Sequence, residues 1–305
     1  MKELVIIAGP TASGKSSQAV ALAKKTDGEI ISADSMQVYR RMDIGSAKIR
    51  PEEMQGVPHH LIDILDPSED FNVSLFQELV KEKAAEIRGR GRLPILAGGT
   101  GFYIQSVLYD IPFGKEETDP ALRERLEQEA ERLGTDAMEE RLKEKDPVSA
   151  LAYHGNRKRI IRALEYHELT GKLLSDKNRE ERMRPTAYDA AFFCLTMPRE
   201  ILYQRIDERV DQMMKDGLLE EVKSLKEEGV RRDATSMQGL GYRQLYDHLE
   251  GRYPLEEAVE RIKRETRHFA KRQLTWFKRE KNVIWLDRSE FRDEEAILER
   301  MLTGL

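Results

Sequence analysis

The 305-residue sequence predicts an α/β protein: a parallel sheet with helices on both faces, plus a helical insertion domain. Three observations carry this. Six short apolar runs are separated mostly by helical patterns, the signature of strands connected by crossover helices. A glycine-rich loop stands between the first run and the first helix. Between Pro112 and Pro185 helix signals occur without a strand pattern. The organisation expected is therefore a core of residues 1–113 and 188–305, with a helical insertion over 114–187 lying over the ligand edge of the sheet.

The runs expected as strands are Leu4–Ala8, Glu29–Ala33, His60–Leu65, Leu93–Ala97, Ala191–Met197 and Val283–Leu286. The first leads into Gly9-Pro10-Thr11-Ala12-Ser13-Gly14-Lys15-Ser16, which fits G-x-x-x-x-G-K-[ST] at every fixed position. The glycines let backbone N–H groups turn inward around an anion. The helix that follows adds partial positive charge, Lys15 a full charge, and the Ser16 hydroxyl a ligand for magnesium. Such a loop fixes a diphosphate; it does not say whose.

The second run ends in Asp34-Ser35-Met36-Gln37. In this topology the end of the second strand lies beside the phosphate loop. Asp34 there is either a general base facing a group-transfer partner, with Gln37 reading the acceptor, or a cap on the next helix. The fourth run ends in Gly98-Gly99-Thr100-Gly101 without an acidic residue. Enzymes that hydrolyse nucleoside triphosphates hold magnesium with an aspartate at such a place, so its absence weakens that reading. Thr100 is a helix cap or a ligand-facing hydroxyl.

Within the insertion, Asp119-Pro120 and Asp146-Pro147 read as helix starts, and Asp136 with Glu139 has capping-box spacing. Asn156–Arg162 interleaves basic and apolar residues. Ile201–Met214 reads as a helix with Arg205 and Arg209 one turn apart; Arg209 abuts Ile206, Val210 and Met213, nearer the covered side. A guanidinium here would neutralise a diphosphate leaving group, or would simply face solvent. The last long helix carries Val259, Ile262, Phe269, Trp276 and Phe277 on one stripe.

The net charge is −5, yet residues 261–281 hold nine Lys or Arg against Glu265 and Glu280, a local +7. An acidic protein with one basic segment does not coat nucleic acid indiscriminately but offers a confined polyanion surface, here with Arg264, Arg267, Lys271, Arg272 and Lys278 turned outward. The single cysteine, Cys194, lies in an apolar run, which excludes a disulfide framework and a cysteine-based zinc site. Adjacent His59 and His60 point to opposite faces of a strand and do not form a metal pair. No signal peptide or membrane-length apolar run is read, so a cytoplasmic protein is expected.

Together these segments resemble the bacterial tRNA dimethylallyltransferases, also called tRNA isopentenyltransferases. The resemblance rests on Gly9–Ser16, Asp34–Arg40, Ile44–Lys48, His59–Asp63, Gly98–Tyr103, Arg162–Glu165, Gly241–Gln244 and Ala270–Phe277, in the family's order over nearly the whole chain. Ser16 and Ser46 stand where the family often has Thr, and Phe102 where Leu is usual. The resemblance implies a P-loop NTPase-like fold, Mg2+, and transfer of a dimethylallyl group from its diphosphate to N6 of the adenosine 3′-adjacent to the anticodon. It implies Asp34 as base, Thr11 on the diphosphate's bridging oxygen, and Arg209 on the diphosphate. It also implies a tRNA side formed by Asp34, Ser35, Met36, Gln37, Thr100, Arg157, Lys158, Arg159, Ile160, Ile161, Gly241, Tyr242, Arg243, Gln244, Arg272, Lys278 and Arg279. The partners expected are dimethylallyl diphosphate and a tRNA anticodon stem-loop, met by a monomer away from membranes. A small-molecule or nucleoside kinase, with ATP in the loop and Asp34 activating a hydroxyl, is the rival class. It explains the loop and Asp34 but neither the basic helix nor the missing aspartate after the fourth run. A nucleotide-switch protein explains less, since no guanine-recognition motif is present.

Overall fold

The computed structural model describes residues 2–113 and 118–305; the expected domain boundary at residue 114 lies outside them. The described chain forms two compact units, one of Met1–Leu108 with Ala187–Leu305, the other of Tyr109–Thr186.

The first unit opens with β1 (Leu4–Ala8), α1 (Lys15–Thr26), β2 (Gly28–Ala33), α2 (Pro51–Met54), β3 (His59–His60), α3 (Val73–Gly89), β4 (Leu93–Gly98) and α4 (Gly101–Leu108). The insertion carries α5 (Pro120–Leu133), α6 (Thr135–Lys145), α7 (Pro147–Tyr153), α8 (Arg157–Thr170) and α9 (Leu174–Met183). The first unit resumes with β5 (Ala190–Thr196), α10 (Arg199–Lys215), α11 (Leu218–Glu227), α12 (Tyr242–Leu249), α13 (Leu255–Phe277), β6 (Val283–Asp287) and α14 (Glu294–Leu302). The six strands form one sheet in the order β3-β2-β4-β1-β5-β6, every pair parallel.

β1 is fully buried because both sheet faces are covered, which is why it reads as an unbroken apolar run. Val5, Ile7, Phe193 and Leu195 face α1 and α14, packing on Leu22, Ala23, Leu298 and Met301. On the opposite face Phe192 meets Phe277 of α13 edge-on, centroids 6.2 Å apart. Each large aliphatic side chain so buried contributes about 1.5–3 kcal/mol.

Three expectations need correction. The third strand is only His59–His60, not His60–Leu65. Leu61 and Asp63 take left-handed φ of 61° and 56°, which an extended strand does not allow. The chain instead bonds to the segment after β2, with Ile64 and Leu65 N–H on the Val38 carbonyl. In the insertion, α6 starts at Thr135 with Gly134 as its cap, not at Asp136. In α13 the buried line runs through Ala258, Ile262, Ala270, Gln273 and Phe277, while Phe269 and Trp276 are only half-buried.

The insertion closes on its own core of Leu126, Met138, Leu142, Ile160, Ile161 and Leu164. Asp119 caps α5, accepting from the Ala121 and Leu122 N–H groups, and Asp146 caps α7 through the Ser149 N–H. Asp146 also accepts from the Ser175 N–H at 2.9 Å, tying α9 to α7. Glu165 is fully buried and accepts from the Asp119 N–H, Arg123 and Arg162.

Candidate active site

The phosphate loop links β1 to α1. Gly9 (φ 148°), Ala12 (φ 65°) and Gly14 (φ 86°) take the left-handed backbone that turns the loop back on itself. The Lys15 ammonium donates to the Pro10 carbonyl at 2.7 Å, lying across the loop. Burial and the neighbouring Arg209 charge bring its pKa down to about 8, against the opposing pull of Asp34 and Cys194. Ser16 is exposed at the start of α1. Arg288 closes the outer side, donating to the Ser13 carbonyl at 3.3 Å and pairing with Glu294.

A cavity of about 360 Å³ opens beside this loop, within the first unit. Thr11, Asp34, Thr100, Arg209, Arg272 and Gln273 supply its polar wall. Ile206, Val210, Met213, Leu218, Ile262 and Phe269 supply an apolar wall. Glu221 fixes the rim: it accepts from the N–H groups of Asp43, Ile44 and Gly45, at 2.9, 2.8 and 3.1 Å, and from the Tyr242 hydroxyl at 2.6 Å.

Asp34 follows the last residue of β2. Its carboxylate lines the cavity and accepts the Met36 N–H at 2.9 Å within a turn; no helix follows it before Pro51, so Asp34 is not the helix cap of the alternative reading. Burial raises its pKa, partly countered by that hydrogen bond and by the Lys15 charge. Arg209 reaches the cavity with no hydrogen bond or ion pair among the described residues. Desolvation and the Arg205 charge hold its pKa below the usual arginine value. The same Arg205 charge, behind burial, lowers that of Arg288. Lys15, Arg209, Arg205 and Arg288 are thus electrostatically linked, and an anion would relieve their mutual repulsion. Arg205 does not line the cavity; Arg209 does.

The other sequence-derived residues divide. Ser35, Met36, Thr100, Gly241, Arg243 and Arg272 line the cavity. Gln37 does not: its amide donates to the Ser46 and Ala47 carbonyls at 3.4 and 3.3 Å. Tyr242 is 0% exposed and Gln244 2%, the latter bonded to Glu265 at 2.8 Å, so both hold the wall from behind. Ile160 and Ile161, 0% and 1% exposed, sit in the insertion's core and offer no surface to a partner. The α8 helix is amphipathic, and an unbroken stretch of it cannot all face outward. Arg157 is bound to the Glu127 carbonyl and carboxylate; Lys158 and Arg159 are exposed. Lys271, Arg272, Lys278 and Arg279 are exposed on or just after α13 with no carboxylate partner among the described residues. Arg267, expected outward, instead pairs with Asp207 of α10 at 2.5 and 2.7 Å.

Two cavity residues gave little sequence signal. In the sequence Glu265 is one acidic residue in a basic segment; in the structure it lines the cavity and accepts from Arg243 and Gln244. Gln273 is a polar residue on the buried line of α13, which is a readable anomaly. Cys194 is fully buried, its thiol pushed up to about 12 by desolvation, and is chemically quiet. His59 and His60 bond to the Val57 carbonyl and Glu29, and no group of three potential metal-binding side chains occurs among the described residues. No helix among the described residues is long and apolar enough to cross a membrane.

Comparison with known proteins places this arrangement. The family model described as IPP transferase matches residues 37–280. A tRNA dimethylallyltransferase of Lachnoclostridium phytofermentans is 53% identical over 303 residues, 99% of this chain and 97% of the relative. One of Bacillus subtilis is 48% identical over 99% of this chain and 96% of its own. The crystal structure of a tRNA isopentenylpyrophosphate transferase from Bacillus halodurans superposes with TM-score 0.75 and 46% identity, covering 99% of this chain and 95% of that one. A eukaryotic dimethylallyltransferase acting on tRNA gives TM-score 0.81 at 30% identity over 98% of this chain and 77% of its own. The parallel α/β sheet expected from the strand pattern, and the P-loop NTPase-like fold that the resemblance implies, agree with these structures, and the chain belongs to the IPP transferase family.

Proposed function

We propose that this protein is a tRNA dimethylallyltransferase that binds dimethylallyl diphosphate at the phosphate loop, transfers the dimethylallyl group to N6 of the adenosine 3′-adjacent to the anticodon, and releases diphosphate. The observation that carries this reading is the meeting, on one cavity, of three complements: Thr11 and Arg209 at an anion end, an apolar wall from α10, α11 and α13, and the Asp34 carboxylate. A kinase reading leaves the basic face of α13 without a purpose, and the relatives above are named tRNA dimethylallyltransferases.

The exocyclic amine of adenine is a weak nucleophile, because its lone pair is delocalised into the ring. As N6 bonds to the allylic carbon, that carbon's bond to the diphosphate oxygen breaks, and the diphosphate leaves with the bonding electrons. The proton on N6 passes to Asp34, whose raised pKa makes it a better acceptor than a free carboxylate. Lys15 and Arg209 hold the charge that grows on the departing diphosphate, and Thr11 faces its bridging oxygen. Ser16 would hold Mg2+. A lone exposed hydroxyl suits an ion that keeps several waters and takes its other oxygens from the diphosphate. When bound, that ion supplies further charge compensation to the leaving group.

The adenosine must leave the loop stack to reach Asp34. Lys271, Arg272, Lys278 and Arg279, with Lys158 and Arg159 of the insertion, take phosphates of the anticodon stem-loop. Ser35, Met36, Thr100, Gly241 and Arg243 face the inserted base. The reading takes the protein as a monomer. Acting on tRNA fits a cytoplasmic enzyme. Calorimetry with dimethylallyl diphosphate and ATP, each with Mg2+, tests the donor. The prenyl diphosphate binds, and ATP at most competes for the loop. ATP binding with phosphorylation of a small acceptor, and no binding of the prenyl donor, would overturn the reading.

A further inference from the structure

We infer that Gln273 is a positioning residue for the donor diphosphate: it fixes Thr11 in the phosphate loop from the helix that carries the basic surface. The inference rests on the reading of the loop as the donor site. Gln273 is 6% exposed and lies on the buried line of α13. Its Oε1 accepts the Thr11 N–H at 2.9 Å, and its Nε2 donates to the Gly99 carbonyl at 2.9 Å. One side-chain amide thereby spans the loop after β1 and the loop after β4, using a donor and an acceptor together.

The fit is close on both sides. A Cβ at Gly99 would stand 2.2 Å from the Gln273 Nε2, and one at Gly101 2.2 Å from the Trp276 ring. Gln273 and Trp276, one turn apart, therefore seat α13 on a segment kept bare for them. Gln273 also commits the Thr11 N–H to protein. That amide is spent on orienting Thr11, which leaves its side chain to face the cavity. The next residue, Ala12, is held at a left-handed φ of 65°, so the loop has a conformation that needs such a brace. Arg272 and Lys271 precede Gln273 on the same helix, so tRNA phosphates and the donor site bear on one rigid element.

Two substitutions separate this role from simple support. Gln273→Met keeps length and burial but offers neither bond. Gln273→Glu keeps the acceptor for Thr11 but, when ionised, cannot donate to Gly99 and sets a negative charge against its carbonyl. Protonated, the introduced carboxyl is a near copy of the amide, with an O–H to donate. Binding of a non-reactive thiolo analogue of dimethylallyl diphosphate is measured by calorimetry, tRNA binding by filter retention, and folding by thermal melting.

Gln273→Met weakens the donor analogue roughly 10–100-fold, the usual consequence of orphaning a buried pair of polar groups. Its tRNA affinity without donor stays within about threefold. For Gln273→Glu, the ratio of its donor affinity to that of the wild type climbs toward one as pH falls from 8 to 5.5. The inference is overturned if both variants bind the analogue as the wild type does. It is also overturned if donor affinity, tRNA affinity and melting temperature fall together at every pH, which is what mere support gives. Lys15→Ala serves as the control for the underlying reading. If it leaves donor affinity intact, the loop is not the donor site, whatever Gln273 does.

Discussion

Replacing Asp34 with Asn removes the proton acceptor while leaving the cavity almost unchanged in shape. The Asp34 carboxylate accepts the Met36 N–H at 2.9 Å, and the Asn side-chain oxygen accepts it equally well. Folding stability therefore moves by no more than about 1 kcal/mol. The loss of a general base lowers the chemical step by roughly 10²–10⁴-fold, or about 3–5 kcal/mol of barrier. A second effect follows from charge. Asp34 helps keep Lys15 protonated, so without it the Lys15 pKa drops below about 8, and the donor binds less well at alkaline pH. Single-turnover assays at pH 7 with saturating donor isolate the first effect. The wild-type rate falls on acidification, as Asp34 takes up a proton at a pKa above the ordinary aspartate value; the variant shows no such limb. Affinity for tRNA hardly changes, because phosphate contacts dominate it. A variant turning over within about threefold of wild type, or retaining the acid limb, would reduce Asp34 to a turn-forming residue.

The basic face of α13 makes a second forecast. Replacing Lys271, Lys278 and Arg279 with Gln flattens the salt dependence of tRNA binding by about 2–3 units, from a loss of roughly 0.7–0.9 per phosphate contact. Arg267→Gln leaves that slope alone, because its guanidinium is engaged by Asp207; binding measured over a salt series checks both. Lys15 is about half deprotonated near pH 8 in the empty site, so donor binding there takes up about half a proton, and less toward neutrality. Calorimetry in two buffers of different ionisation enthalpy reads this directly, and a donor affinity that rises above pH 8 would contradict it. Glu165→Gln weakens the charged contacts that join Arg123 and Arg162 to the insertion's interior. It costs about 1–3 kcal/mol, seen as faster hydrogen exchange across 118–186 with the first unit unaffected.

The phosphate loop and Asp34 were legible because their chemistry is local. The loop needs glycines at fixed spacing, and Asp34 follows a strand that ends on the same edge of the sheet as the loop, with β4 between them. What was not legible depends on partners remote in sequence. Nothing near Arg267 announces Asp207, so counting charges overstated the free basic surface. Ile160 and Ile161 lie in a stretch that the resemblance assigns to tRNA, but their apolar character favours burial, and they sit in the insertion's core. The third strand failed because an apolar run does not reveal left-handed φ at Leu61 and Asp63. Gln37 has the composition of a base reader, yet the two carbonyls that claim its amide come from a loop whose path Glu221 sets. Gln273 stood in view as a polar residue on an apolar stripe; only the close approach of Gly99 gives it a purpose.

In the proposed reaction one cavity joins a prenyl diphosphate to an adenosine of tRNA. It is tested most directly by incubating the full chain with unmodified tRNA, Mg2+ and dimethylallyl diphosphate, then digesting the tRNA and sequencing it by mass spectrometry. The expected result is one dimethylallyl group, on N6 of the adenosine 3′-adjacent to the anticodon, together with an equimolar release of diphosphate. No prenyl group on the tRNA, or one on a nucleotide outside the anticodon loop, would contradict it.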